Sequence, residues 1–239
     1  MSYHKYHRGQ LSWLFTLSKF IFITFLISGV AYSGPAYNIS NTDEFIAFSK
    51  RVNNGESTFS GTTVLLTADI DFSSSNLNDF EPIRKNDTIG IFAGTFDGQG
   101  HIIKNLVMNS SDFRYTGLFG SSSGLMVKNV VIDESCSFTS YYSYSSDNDA
   151  FVSSVIGNCV AISGTPCEFE NIVNMAAVSY LGRRRSYLLL GGIISKCIGN
   201  CILTNCVKFG SILISSGHQV ITSILEGFSG KSAGGITTL

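Results

Sequence analysis

The chain has 239 residues, 44% hydrophobic and only 14% charged, with a formal net charge of −1. Globular domains carry about 25% charged residues, and bundles or coiled coils need Glu and Lys on their wet faces, so the composition argues against long helical architectures. The apolar content argues against disorder, and no basic excess points to nucleic acid.

Residues 1–33 stand apart. They carry Lys5, Arg8 and Lys19 and no acid. Phe20 to Ala31 is an apolar run of signal-peptide length, and Ala31-Tyr32-Ser33 places small residues at the −3 and −1 positions of a cut before Gly34. The segment reads as a secretory signal. The alternative is an uncleaved single-pass anchor, because Leu11 to Ala31 is about long enough to span a bilayer, although Lys19 interrupts it. The expected location is therefore secreted or cell surface. Six cysteines follow, as an oxidising compartment permits. The sequons at Asn38, Asn86 and Asn109 are glycosylation candidates if the host is a eukaryote.

Residues 34–61 read as an N-terminal cap. Its helix is expected over 41–54, with Asn41 as N-cap and Glu44 completing a capping box. Phe45, Phe48 and Val52 fall at i, i+3 and i+7 and make one apolar face, and Asn53-Asn54-Gly55 ends it. After Gly61 the period changes to short β-branched strands, beginning with Thr63 to Thr67, and Asp97-Gly98 marks a turn.

From there to residue 239 the chain repeats. Lys104-Asn105-Leu106, Lys128-Asn129-Val130, Glu170-Asn171-Ile172 and Thr204-Asn205-Cys206 share one element. Gly117-Leu118-Phe119-Gly120, Ser154-Val155-Ile156-Gly157 and Gly192-Ile193-Ile194-Ser195 share a second, with a weaker copy at Ser223 to Glu226. Such periods mark repeat arrays. Short strands bury a face only by stacking coil on coil, so the expected fold is all-β, a right-handed parallel β-helix with a short N-terminal capping helix. Asn105, Asn129, Asn171 and Asn205 are expected to form a structural ladder of side chains bonded from coil to coil. The final Gly234 to Leu239 offers no closing element, so the array is expected to be a fragment of a longer one, or to self-associate through its C-terminal coil.

Leu66 to Phe72, Pro82-Ile83, Phe92 to Leu106 and Gly117 to Gly120 together resemble GLUG-motif right-handed β-helix proteins, surface or secreted repeat proteins of bacteria and some protists. The resemblance covers residues 40–133 and fades to a repeat rhythm beyond. It implies architecture and an extracellular setting, and no single activity.

Several motifs invite chemistry. Gly120-Ser-Ser-Ser-Gly124 matches a nucleophile elbow with Ser122 at its centre, but an elbow needs a helix after it, and only His101 and His218 follow the signal as bases. Asp69 and Asp71 share a strand face at a spacing compatible with a glycosidase pair. Gly98-Gln-Gly100 reads as a turn rather than a phosphate cradle. Cys197, Cys201 and Cys206 have atypical spacing for zinc. Arg183-Arg184-Arg185 reads as a solvated loop tip, the alternative being a protease site or a contact with an acidic glycan, and Phe138 to Tyr144 as an insertion packed on the coil or an adaptable contact surface. The sequence thus assigns no catalytic residue, no cofactor and no metal.

The cysteines carry the sharpest positional signal. Cys159 and Cys197 occupy equivalent positions after one repeated element, and Cys167 and Cys201 equivalent positions before the other; the first module has Ser122 and Leu125 there. Two pairings fit: Cys159–Cys167 with Cys197–Cys201 inside each coil, or Cys159–Cys197 with Cys167–Cys201 between coils. The Gly199-Asn200 turn favours the first. Cys206 is expected as a buried free thiol, and Cys136 has no assigned partner. The expected role is an adhesin-like or structural protein that binds glycans or other surface proteins. The alternative is a polysaccharide-active lyase or glycosidase.

Overall fold

The computed structural model describes residues 34–74, 80–85, 90–142, 149–162, 164–182, 188–214 and 232–233. The expectations for residues 1–33, Asn86, Tyr144, Arg183 to Arg185, His218, Ser223 to Glu226 and Gly234 to Leu239 lie outside them.

The chain opens with β1 (Ala36–Ile39) and α1 (Thr42–Asn53). β2 (Thr63–Leu66), β3 (Ile70–Asp71) and a 3-10 turn at Phe72–Ser74 follow. A first full round then runs through β4 (Thr95–Asp97), β5 (Ile102–Lys104), β6 (Val107–Ser110), β7 (Tyr115–Thr116) and β8 (Phe119–Ser123). The second comprises β9 (Met126–Ile132), β10 (Ser137–Ser140), β11 (Ala150–Val152) and β12 (Ile156–Val160). The third comprises β13 (Cys167–Asn174), β14 (Ala177–Tyr180), β15 (Leu188–Leu190) and β16 (Ile194–Ile198). β17 (Cys201–Thr204), β18 (Val207–Lys208), β19 (Ile212–Ile214) and β20 (Ser232–Ala233) complete the described strands.

These strands build four sheets. The largest has the path β1-β2-β4-β9-β13-β17-β20; the others run β6-β10-β14-β19, β7-β11-β15 and β8-β12-β16. Each round visits the sheets in the same order, so a strand's neighbours are its counterparts one round before and after. Almost all of these pairings are parallel, as expected when turns lead to the next sheet instead of folding back as hairpins. The repeated apolar element falls in register, Phe119 beside Ile156 beside Ile194, reproducing the sequence spacing.

The core is built as columns. Val64, Phe96, Val127, Phe169 and Leu203 stack strand over strand, all buried. Leu118, Val155 and Ile193, the first apolar residues of the second repeated element, are buried as well. Fully burying each such side chain contributes about 1.5–3 kcal/mol.

Helix α1 closes one end. The Asn41 side chain accepts from the Glu44 N–H at 3.0 Å. The Glu44 carboxylate reaches one residue further back than a capping box requires, accepting from the Ser40 N–H at 2.7 Å and Ser40 Oγ at 2.9 Å. These bonds hold its carboxyl below the usual range. Of the expected C-terminal residues only Gly55 takes left-handed backbone, at φ 73°. Asn53 stays helical, and its side chain ties α1 to the Pro82 carbonyl and the Arg84 N–H. Phe45, Phe48 and Val52 are completely buried. Phe45 packs edge-on to Phe72 and Phe96, and Phe48 edge-on to Phe59 and Phe92.

β20 runs antiparallel along β17, pairing Ala233 with Ile202 and Ser232 with Leu203. β17 is thereby paired on both sides, with β13 and with β20.

Replacing Phe48 by Ala removes the centre of the ring cluster. We expect a loss of about 3–5 kcal/mol in urea unfolding; a loss no larger than that of an exposed substitution would show that α1 does not hold the end closed.

Candidate functional site

Among the described residues, three polar clusters and the cysteine corner are places where chemistry could reside. The first cluster is the amide ladder. The Asn205 side chain donates to Asn171 Oδ1 at 3.1 Å, Asn171 to Asn129 Oδ1 at 2.9 Å, and Asn129 to Asp97 Oδ1 at 2.9 Å. Lys128 lies 3.4 Å from the other Asp97 oxygen. The ladder therefore stands on Asp97. Asn105, expected as its first rung, belongs to a different corner, where its side chain donates to Asp71 Oδ1 at 2.7 Å. Strand register decides this, because β4 sets Asp97 beside Lys128 while β5 sets Ile103 beside Ile132. The tripeptide likeness of Lys104-Asn105-Leu106 does not align it with the others.

All four asparagines have positive φ, between 52° and 59°. Asn tolerates this left-handed conformation better than most side chains. Each residue thus bends the strand and supplies an amide to the neighbouring round. The sequence showed the amide and not the bend.

The second cluster surrounds Asp69 and Asp71. Asp69 Oδ1 accepts from the Ile102 N–H at 3.0 Å and lies 3.5 Å from His101 Nδ1. Asp71 Oδ1 accepts from the Asn105 side chain and from the Ser73 N–H. Those bonds, the Asn105 one foremost, hold the Asp71 carboxyl below its ordinary range. A general acid needs the opposite shift. Ser122 lies inside β8, fully buried, and donates to the Phe92 carbonyl at 3.0 Å. His101 is engaged by Asp69 and not by Ser122, and β9 rather than a helix follows.

The sequence reading missed the third cluster. One buried column changes character along the stack: Ile132 pairs with Asn174, and Asn174 with Lys208. Asn174 is completely buried; it donates to the Gly192 carbonyl at 2.6 Å and accepts from the Ala176 N–H at 3.0 Å. Ser154 Oγ donates to the same Gly192 carbonyl at 2.7 Å. Lys208 donates to the Ala176 carbonyl, and its stem fills the space a Cβ on Gly192 would take. Burial pushes the Lys208 ammonium down to about 8. An inward position in the strand pairing is the only signal, and register is invisible until strands pair.

Cys159 is bonded to Cys167 and Cys197 to Cys201. Cys136 and Cys206 are buried free thiols whose pKa values desolvation raises to about 11. They donate to the carbonyls of Ile103 and Phe169, which makes them core groups rather than nucleophiles. Among the described residues no group of three His, Cys, Asp or Glu side chains could hold a metal ion, and no helix is long and apolar enough to cross a membrane. Asn38 and Asn109 are exposed on their strands. In the Tyr/Ser segment, Phe138 and Tyr142 are buried and Tyr141 is exposed, so that segment mostly packs inward.

No family model matches the chain, and a search of curated proteins finds no match. Among solved structures, a chain described as a "putative immunoglobulin A1 protease from Bacteroides ovatus" is similar, with a TM-score of 0.51 and 18% identity. The similarity covers 79% of this chain and 64% of that one, so this chain spans less than two thirds of that protein. At such identity the likeness shows the fold alone.

Two substitutions test the clusters. Asn171→Ala loses two ladder bonds and strains a left-handed residue, whereas Asn171→Gly loses only the bonds. We expect the Ala variant to be the less stable by about 1–2 kcal/mol; equal stabilities in urea would remove the conformational role. Lys208→Met removes a half-buried charge. The folded pKa lies below the unfolded one, so the unfolded chain binds the extra proton between about pH 8 and pH 10.5, and wild-type stability rises across that window. The advantage of the Met variant should be largest below pH 8 and shrink towards pH 10.5. A constant difference would show that Lys208 titrates normally.

Proposed function

We propose that the chain is a right-handed parallel β-helix of the GLUG-motif kind, secreted or displayed at a cell surface, and that it binds or presents rather than catalyses. Right-handedness follows the rule for parallel crossovers. Supporting the setting are the two disulfides and the exposed Asn38 and Asn109. The observation that carries the functional reading is where the polar side chains are spent. Asp97, Asn129, Asn171 and Asn205 bond from round to round, Asp71 holds Asn105 and Ser73, and Ser122 bonds a buried carbonyl. These are structural uses, and the bonds on Asp71 hold its carboxyl below the ordinary range, opposite to the raised pKa that acid catalysis needs. The partners that suit such a surface are glycans or other surface proteins.

The test uses secreted protein on a polysaccharide and glycan panel. Binding without new reducing ends is expected, with Asp71→Asn unchanged in binding. Release of reducing sugar that Asp71→Asn abolishes would replace this reading with a glycosidase or lyase, and cleavage of immunoglobulin A1 would replace it with a protease.

A further inference from the structure

Four of the six cysteines meet at the corner where β12 and β16 lead into β13 and β17. Along the chain, across the turn from one round into the next, Cys159 is bonded to Cys167 and Cys197 to Cys201, with Cα separations of 6.7 and 6.5 Å. Between rounds, Cys159 is the register partner of Cys197, and Cys167 the register partner of Cys201. Register partners on neighbouring parallel strands lie about 4.8 Å apart and project to the same face. That falls inside the window of about 4.4–6.8 Å within which two Cα atoms can be bridged. Every cysteine of the four therefore has two bondable partners, one along the chain and one across the stack.

The cluster has defined limits. Ser122 is the register partner of Cys159 in the preceding round, and the Glu168 N–H bonds to the carbonyl of Leu125, so Leu125 stands before Cys167. Cys159, Cys167 and Cys201 are buried, whereas Cys197 is partly exposed. A thiol in solution can enter at one sulfur.

We propose that the two bridges are exchangeable, and that a low-molecular-weight thiol converts them from staples across each turn into rivets between stacked strands. The thiolate attacks Cys197 Sγ, forming a mixed disulfide and releasing the Cys201 thiolate. Cys201 attacks Cys167 Sγ, which forms Cys167–Cys201 and releases the Cys159 thiolate. Cys159 then attacks Cys197 Sγ, forming Cys159–Cys197 and expelling the small thiol. Two disulfides enter and two leave, the catalyst thiol is regenerated, and no net oxidation occurs. The staples close chain separations of only 8 and 4 residues. The rivets close loops of about 35 residues, and longer loops restrict the unfolded chain more. They also tie stacked strands to each other, β12 to β16 and β13 to β17, which the staples do not.

Trypsin reads the change directly. It cuts at Lys128, Arg183, Lys196 and Lys208, with no site between Cys159 and Cys167 or between Cys197 and Cys201. Staples leave peptides 129–183 and 197–208 separate; rivets join them. The folded, oxidised full chain is incubated with a glutathione redox buffer, quenched with N-ethylmaleimide and digested. The joined species should grow from a trace to the majority, and should not grow without glutathione. Persistence of separate peptides, or joining only in denaturant, would overturn the proposal. A double variant gives a second reading. Cys159→Ser with Cys197→Ser installs the residue already present at Ser122 and leaves only Cys167 and Cys201 at the corner. These should bond to each other in the folded protein under air, whereas Cys159→Ser with Cys201→Ser, which leaves a diagonal pair, should keep both thiols free. A Cys167–Cys201 pair that stays reduced sinks the idea.

Discussion

In-register parallel stacking is the constraint on which everything else depends. A strand about 4.8 Å from its neighbour, with the same side chains facing the same way, makes a column of every position. Each column must be tolerable to itself. The interior solves this with apolar residues, as in Val64, Phe96, Val127, Phe169 and Leu203. At the bends it is solved by amides, which can donate up and accept down the same column, as Asn129, Asn171 and Asn205 do on Asp97. At the cysteine corner the same geometry gives each sulfur two neighbours. One rule thus produces core, ladder and disulfide cluster.

The constraint also explains why the ends look different from the middle. A stack is satisfied only where another round continues it. At the first end a helix and a web of phenylalanines replace the missing round. Towards the other end one buried column turns from Ile103 and Ile132 to Asn174 and then Lys208. There the partly buried Lys208 stem packs on Gly192, and β20 runs antiparallel along β17.

For function, the consequence is that charged residues are few, at 14% of the chain, and that several of the described ones are committed to bonds between strands. A carboxylate that accepts two or three hydrogen bonds is a good structural anion and a poor proton donor. Asp71 is in that condition, and Asp97 anchors a ladder. Binding along regular outer faces asks less of individual side chains than catalysis does.

By itself the sequence determined much that is local or periodic. The apolar spacing of Phe45, Phe48 and Val52 and the Asn41 cap placed α1, and the repeated apolar pairs placed β8, β12 and β16 in register. The equivalence of Cys159 with Cys197 and of Cys167 with Cys201 was also legible, because duplication preserves spacing. Only the tertiary structure decided what depends on which strands pair. It moved Asn105 out of the ladder and put Asp97 at its foot. It turned Lys208 and Asn174 inward, and it chose the disulfides between residues near in the chain over the pairing across the stack, two arrangements the spacing left open. The physical reason is that loops of unequal length separate the strands. Spacing along the chain then no longer measures position in the stack, and register is set by the hydrogen bonds and packing that form only when the rounds meet.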